Sequence, residues 1–334
     1  MQMDSNRKPI TDSCGRELRY LRVSVTDRCN LRCRYCMPPQ GIPLLRHEDI
    51  LSYEHIAAVA RAAVTLGVTS VRITGGEPLV RRGITNLVRL LGDIDGLDDL
   101  SMTTNGILLA PIAQSLAQAG LRRVNISIDS LDPDEYADIT RGGDLRAALD
   151  GVRAAFDAGL TPVKVNAVLF DHHPNDDLRR RISPFVELAR ALPVHVRFIE
   201  HMPIGGPRVR APGNGAITRI MQALGAAPAD AVVPGAGPAR YWRLDGAPGS
   251  LGLIAPMSDP FCDRCNRLRL TALGELRRCV FSSPDVDLRS LLGSHADAHA
   301  LAAAIARAWL TRPPGRGSFA PQAPVPASMC QIGG

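Results

Sequence analysis

A chain of 334 residues exceeds the usual size of one domain, so a large domain with a smaller appendage is expected. Apolar residues make up 45% of it, yet no apolar run reaches the 18 or so residues of a membrane span, and residues 1–20 lack the apolar stretch of a secretory signal, so the expected setting is the cytoplasm. The net charge of +6 admits nucleic acid, an acidic surface or a polyanionic small molecule, and by itself does not choose among them.

In chain order, a polar extension over residues 1–14 precedes a series of β-rich runs at 22–26, 70–74, 100–104, 123–129, 163–169 and 195–199. Each run but the last is followed by a segment with helical apolar spacing, at 53–66, 85–91, 111–119, 145–158 and 176–191. Gly67, Gly120 and Gly159 stand where three of these helices should stop. Consecutive βα units imply a parallel sheet, and six of them imply an open, partial TIM-like barrel over about 15–204. Residues 203–215 are rich in Gly and Pro and read as a crossover loop into a smaller C-terminal region, 205–334. That region should hold a hairpin around 241–254, a helix near 297–310 and a Pro/Gly-rich, disordered tail ending in Gly333-Gly334.

Period-two spacing sorts the strands into two faces. Arg22, Ser24 and Thr26 share one face, as do Arg72 and Thr74; Ser101, Thr103 and Asn105; Asn125, Ser127 and Asp129; Lys164 and Asn166. The opposite faces are mostly apolar. A closed eight-stranded barrel fills its interior with branched apolar side chains, so this pattern implies a polar lumen able to hold a large polar ligand. Lys164 stands out because the only lysines among 39 basic residues are Lys8 and Lys164; the alternative is a lysine solvated at a strand end.

Eight cysteines in a cytosolic chain point to metal or redox chemistry rather than disulfides. Cys29, Cys33 and Cys36 follow the first strand in C-x3-C-x2-C spacing, at the strand end where βα-barrel enzymes build their sites. Thiolates suit zinc or iron–sulfur. Structural zinc wants four ligands, and no fourth is near; a [4Fe–4S] cluster held by three cysteines keeps one iron open for a ligand. Cys262, Cys265 and Cys279 form a second triplet. A zinc ribbon there would need Cys330, His295 or His299, all distant in sequence, as its fourth ligand.

The first triplet, with Tyr35 before its last cysteine, resembles the radical S-adenosylmethionine (SAM) superfamily, and Gly75-Gly76-Glu77-Pro78 resembles that family's segment for the methionine amino group. With the second triplet, the run from Leu21 to Cys29 and the final Ile332-Gly333-Gly334, the chain from about Asp12 onward resembles the GTP 3′,8-cyclases of molybdenum-cofactor biosynthesis. The resemblance implies two [4Fe–4S] clusters, one on Cys29, Cys33 and Cys36 and one on Cys262, Cys265 and Cys279. It implies a SAM site lined by Tyr35, Gly76, Ser127 and Met202, and GTP contacts from Arg22, Arg72, Thr103, Lys164, Arg267, Leu268 and Arg269. It also implies the reaction: a 5′-deoxyadenosyl radical removes the ribose H3′ of GTP, and C3′ bonds to C8. An external electron donor and a downstream enzyme forming the cyclic pyranopterin complete the implied partners, with no nucleic acid, no membrane and a homodimer as one assembly it allows. No side chain is assigned as acid or base. Arginine forks and a lysine charge suit a triphosphate. Cys14 and Cys330 match no position of the pattern, so incidental packing is expected of both, and Gln331 replaces an expected apolar or aromatic residue.

Two rivals remain. Another radical SAM enzyme with an auxiliary cluster would carry a more cysteine-rich appendage. A zinc-stabilised nucleic-acid binder suits the charge, but aromatic residues are only 4% of the chain.

Overall fold

A computed structural model describes residues 8–170, 177–204, 212–229, 233, 237–293, 297–315 and 329–332. The first half is a regular βα series. It runs β1 (Tyr20–Ser24), α1 (Tyr53–Thr65), β2 (Ser70–Thr74), α2 (Ile84–Gly92), β3 (Asp99–Thr104), α3 (Ala113–Gln118) and β4 (Arg123–Ser127). It continues through α4 (Pro133–Thr140), α5 (Leu145–Asp157), β5 (Lys164–Leu169), α6 (Leu178–Ala191) and β6 (His195–Glu200). Neighbouring strands pair in parallel from β1 to β6.

Local chemistry sets these boundaries. In α1 the Ser52 hydroxyl accepts from the His55 N–H, capping the first turn, and Ile56, Val59, Ala60 and Ala63 recur at helical spacing on the buried face. The helix stops at Gly67, whose φ of +96° suits only glycine, and a Cβ there would lie 2.4 Å from Pro9 Cα. Gly120 and Gly159 end their helices in the same left-handed conformation. The apolar faces of the strands meet these helices in one continuous core. Truncating a fully buried member such as Ile56 to alanine costs about 2–5 kcal/mol.

The C-terminal half supplies α7 (Asn214–Ala223), β7 (Ala226–Ala229), β8 (Arg240–Leu244), β9 (Ser250–Ile254), β10 (Arg267–Leu270), β11 (Glu275–Arg277), β12 (Val286–Asp287) and α8 (Ala298–Leu310). The expected hairpin is β8–β9, paired antiparallel. The sheet order is β12-β11-β10-β1-β2-β3-β4-β5-β6-β9-β8-β7. The second half is thus built onto both edges of the first: β9 pairs parallel with β6, and β10 pairs parallel with β1. The result is an open, partial TIM-like barrel whose sheet does not return to its own edge among the described residues.

Several elements depart from the sequence reading, among them the strands β7, β10, β11 and β12. The chain forms α4 between β4 and α5, and α7 begins inside the segment expected to be a loop throughout. Residues 205–211, His295, most of the Pro/Gly-rich tail (316–328) and Gly333-Gly334 lie outside the described residues. No helix among the described residues is long and apolar enough to cross a membrane.

Candidate active site

The first cysteine triplet lies in the loop beyond the C-terminal end of β1. The Cys36 and Met37 N–H groups donate to the Cys33 carbonyl at 2.9 and 3.2 Å, a tight turn that brings Cys33 and Cys36 to one side. The Leu31 N–H donates to Cys29 Sγ at 3.4 Å. The loop is pinned to the end of α4: Arg32 and Arg34 donate main-chain N–H groups to the Thr140 and Ile139 carbonyls. Arg141, left-handed at φ 57°, donates to the Arg32 and Met37 carbonyls at 2.6 and 2.9 Å. Sequence reasoning missed α4 and Arg141, although Asp132-Pro133-Asp134-Glu135 carries a helix-start signature. Asp132 caps the Asp134 and Glu135 N–H groups, with proline at the first helical position.

Tyr35 donates to Asp129 Oδ2 at 2.9 Å and packs edge-on to Phe170. Burial pushes the Asp129 carboxyl up to about 6, and burial followed by Asp129 raises the Cys33 thiol well above its ordinary value. Cys29 is pushed up to about 11, chiefly by burial.

The Gly75-Gly76 segment closes on this loop. A Cβ on Gly76 would lie 2.4 Å from the Arg28 carbonyl oxygen, and one on Gly75 2.8 Å from that of Thr26. Glycine here is demanded by the chain's own approach, with Gly76 donating to Thr26 and Glu77 to Arg28. The buried Glu77 carboxylate accepts from Leu79 N–H, Thr104 Oγ1 and Asn105 N–H at 3.0, 2.8 and 2.7 Å, fastening the end of β2 to that of β3. Burial raises it to about 7.

The polar strand face is the lumen wall. Register aligns Arg269, Arg22, Arg72 and Ser101 across β10, β1, β2 and β3. A second row aligns Thr103, Asn125, Lys164 and His195 across β3 to β6, and a third aligns Ser127, Asn166 and Arg197. Lys164 is fully buried; burial, then Arg197, Arg123 and Arg72, lowers it to about 6. Arg22 is lowered well below its ordinary value by burial and then by Arg269, and burial first lowers Arg72 and Arg269 to about 10 each. Like charges crowded this way favour an anion. Asn125 Oδ1, Arg123 Nη1 and Arg267 Nε are buried without partners among the described residues.

Arg123 and Arg197 join this wall and were absent from the sequence-derived set, although the same period-two reading at the start of β4 and along β6 carries both. Leu268 is placed otherwise: its fully buried side chain belongs to the apolar core, so only its main chain can face a ligand.

The second triplet sits at the other end of the strands. Cys265 precedes β10, whose Arg267 pairs with Tyr20 at the start of β1, whereas Cys29 follows the end of β1. The four-residue step from Tyr20 to Ser24 alone spans roughly 13 Å. Cys262 opens a short 3-10 turn, and Cys279 follows β11. Burial opposes ionisation of Cys265, but Arg267 and Arg312 outweigh it and lower the thiol; burial raises Cys279.

The C-terminal residues lie between the two triplets. Cys330, expected to be incidental, is buried and hydrogen-bonded to Cys36, so its role in packing is at the first triplet itself. Ile332 packs with Ile204 and Val280, a cluster that Met202 and Cys279 also join, and its carbonyl accepts from Arg269 Nη1 at 3.5 Å. Met202 thus packs against this cluster, and its chain neighbour His201 lies edge-on to Tyr35. Cys14 is exposed.

No three cysteine, histidine or carboxylate side chains converge on a single ion among the described residues. The donor sets are all-thiolate triplets on loops, which suits an iron–sulfur cluster, a larger group than an ion.

A family model for the radical SAM superfamily matches residues 23–183, and one described as Molybdenum Cofactor Synthesis C matches residues 194–317. The GTP 3′,8-cyclase of Moorella thermoacetica is 46% identical over 329 residues, covering 97% of this chain and 100% of that protein. That of Pelotomaculum thermopropionicum is 46% identical over 310 residues, covering 91% and 94%. Among solved structures, Streptococcus suis SuiB bound to S-adenosylmethionine superposes with a TM-score of 0.63 at 14% identity, over 90% of this chain and 67% of that one, a likeness of fold.

Proposed function

The chain belongs to the GTP 3′,8-cyclase family within the radical SAM superfamily, and from that premise we propose how its own residues serve the reaction. It is a radical SAM lyase of molybdenum-cofactor biosynthesis that acts on GTP and uses SAM with iron–sulfur chemistry. The finer reading is that Cys29, Cys33 and Cys36 hold one [4Fe–4S] cluster and Cys262, Cys265 and Cys279 hold a second. Bound at the first triplet, a cluster with SAM would supply the radical chemistry that removes the ribose H3′ of GTP and joins C3′ to C8, with one further electron and one proton needed to reach the closed-shell product.

The protein's part is positioning and charge. Tyr35, Gly76 and Ser127 line the SAM end, with Met202 beneath it. Arg22, Arg72, Lys164, Arg267 and Arg269 receive the triphosphate, and Thr103 orients it from the β3 wall. Lys164 is held neutral by burial until the anion arrives and then takes up a proton. The 15–204 and 205–334 segments divide this labour: the first carries the SAM end and most of the wall, the second the far triplet and β10. An external electron donor reduces the first end, and the product passes to the enzyme that forms the cyclic pyranopterin.

One observation carries this reading: register sets the Arg269–Arg22–Arg72 row between two cysteine triplets at opposite ends of the same strands. Anaerobic turnover with GTP as the only nucleotide tests it. Formation of 5′-deoxyadenosine together with 3′,8-cyclo-7,8-dihydro-GTP is expected; deoxyadenosine without a cyclised nucleotide contradicts it.

A further inference from the structure

The loop that carries Cys262 and Cys265 is stitched by two buried arginines from distant parts of the chain. Arg16, in the N-terminal turn, spends its guanidinium on the Asp12 carboxylate at 2.6 Å and on the carbonyls of Cys262, Pro314, Arg312 and Pro313 at 3.1, 3.0, 3.3 and 2.9 Å. All five of its donors are thereby engaged, and it acts as a fixed staple. The Trp309 indole N–H donates to the Arg16 carbonyl at 3.2 Å, which ties the staple to α8.

Arg312 follows α8 and is only 5% exposed. Its guanidinium stacks over the Trp309 ring, 5.1 Å from the centroid, and its Nη1 donates to the Cys265 carbonyl at 2.6 Å. The same guanidinium hydrogen-bonds the Cys265 thiol. Its Nε is buried without a partner among the described residues. A rigid, desolvated fork with a donor to spare therefore sits against one thiolate of the second triplet. The equivalent position at the first triplet holds Asp129 and Glu77 nearby, and its arginines bind loop carbonyls.

We propose that Arg312 is the positioning residue of the second cluster: it fixes the Cys265 loop through the carbonyl and donates to the Cys265 thiolate, raising the midpoint potential of that cluster. This rests on the reading that Cys262, Cys265 and Cys279 hold a cluster. Reduction adds one negative charge to the cluster, and a hydrogen-bonded cation beside its sulfur stabilises the reduced form more than the oxidised one. Lysine can supply the charge but not two parallel donors.

The test is potentiometric titration followed by electron paramagnetic resonance, on the full chain with Cys29, Cys33 and Cys36 replaced by alanine so that only the second cluster is read. Arg312→Gln and Arg312→Met should lower the midpoint so that the reduced-to-oxidised ratio at the parent's midpoint falls about tenfold, about 59 mV for one electron. Arg312→Lys should fall between them and the parent. Loss of cluster iron in the Gln and Met variants with retention in the Lys variant also supports the role. A midpoint within error of the parent in the Gln and Met variants overturns it. So does loss of iron in all three with an equal fall in thermal unfolding midpoint, which would assign Arg312 to packing alone. If the Arg312 parent itself binds no iron and sulfide, the second-cluster reading fails, and this role with it.

Discussion

The two cysteine triplets have the same number of thiols and opposite surroundings. At Cys29 and Cys33 burial, joined by the Glu77 and Asp129 carboxyls, raises the thiols against the smaller pull of Arg32 and Arg141. At Cys36 the hydrogen bond with Cys330 raises the thiol first and burial next. Around Cys265 the neighbours are Arg267 and Arg312, and they win over burial. The strand that follows Cys265 also places Arg267 beside Tyr20 and Arg269 beside Arg22 of β1. The difference teaches that ligand count alone does not set a cluster's task. On the proposed reading, one end would take the cofactor and the other would share its cations with the anionic substrate.

Removing either end should separate these tasks. Replacing Cys29, Cys33 and Cys36 by alanine should abolish reductive cleavage of SAM, because no cluster remains to bind it. Continued formation of 5′-deoxyadenosine at the parent rate would break the comparison. Replacing Cys262, Cys265 and Cys279 should leave slow, uncoupled SAM cleavage but no cyclised GTP; full cyclisation in that variant would count against the substrate-holding role.

A smaller effect sharpens the comparison along the lumen. Lys164→Ala and Lys164→Arg should each weaken GTP binding by roughly 1.5–3 kcal/mol, the value of a charge-assisted hydrogen bond, in anaerobic equilibrium titration. Lys164 titrates at about 6 in the free protein, below its ordinary value, and a bound triphosphate raises it. Binding above pH 6 should then take up a proton, and affinity should fall as pH climbs toward the pKa of the complex. Calorimetry in buffers of different ionisation enthalpy reads this uptake in the parent, and its persistence in the Ala variant would remove Lys164 from the account.

At the SAM end, Gly76→Ala forces a Cβ against the Arg28 carbonyl, so backbone must shift. A stability loss of about 1–3 kcal/mol is expected from overpacking, with weaker SAM binding. Denaturant unfolding of the apo-chain checks it, and an unchanged midpoint would mean the loop yields freely.

Much of this was legible in the sequence because it depends on local periodicity. The polar face of Arg22, Arg72, Thr103 and Lys164 follows from period two, and Gly67, Gly120 and Gly159 mark helix ends by a conformation that glycine favours. Long-range pairing was not legible. The run Arg267–Leu270 is too short and too basic to announce a strand, and only its partner β1 makes it one. Cys330 reaches Cys36 and Arg16 reaches Cys262 across most of the chain's length, and Arg312 reaches back 47 residues to Cys265. No spacing rule encodes such contacts. Arg141 was hidden for another reason: its left-handed backbone is unusual outside glycine, and the tertiary bonds to Arg32 and Met37 hold it there.

The central claim is that both triplets hold a cluster, one at each end of a single polar lumen. Its most direct test is iron and acid-labile sulfide counted on anaerobically prepared parent and on the two triple-alanine variants. The account predicts roughly eight of each per parent chain and about half that in either variant. A variant that keeps the parent count, or a parent that already holds only half, would contradict it.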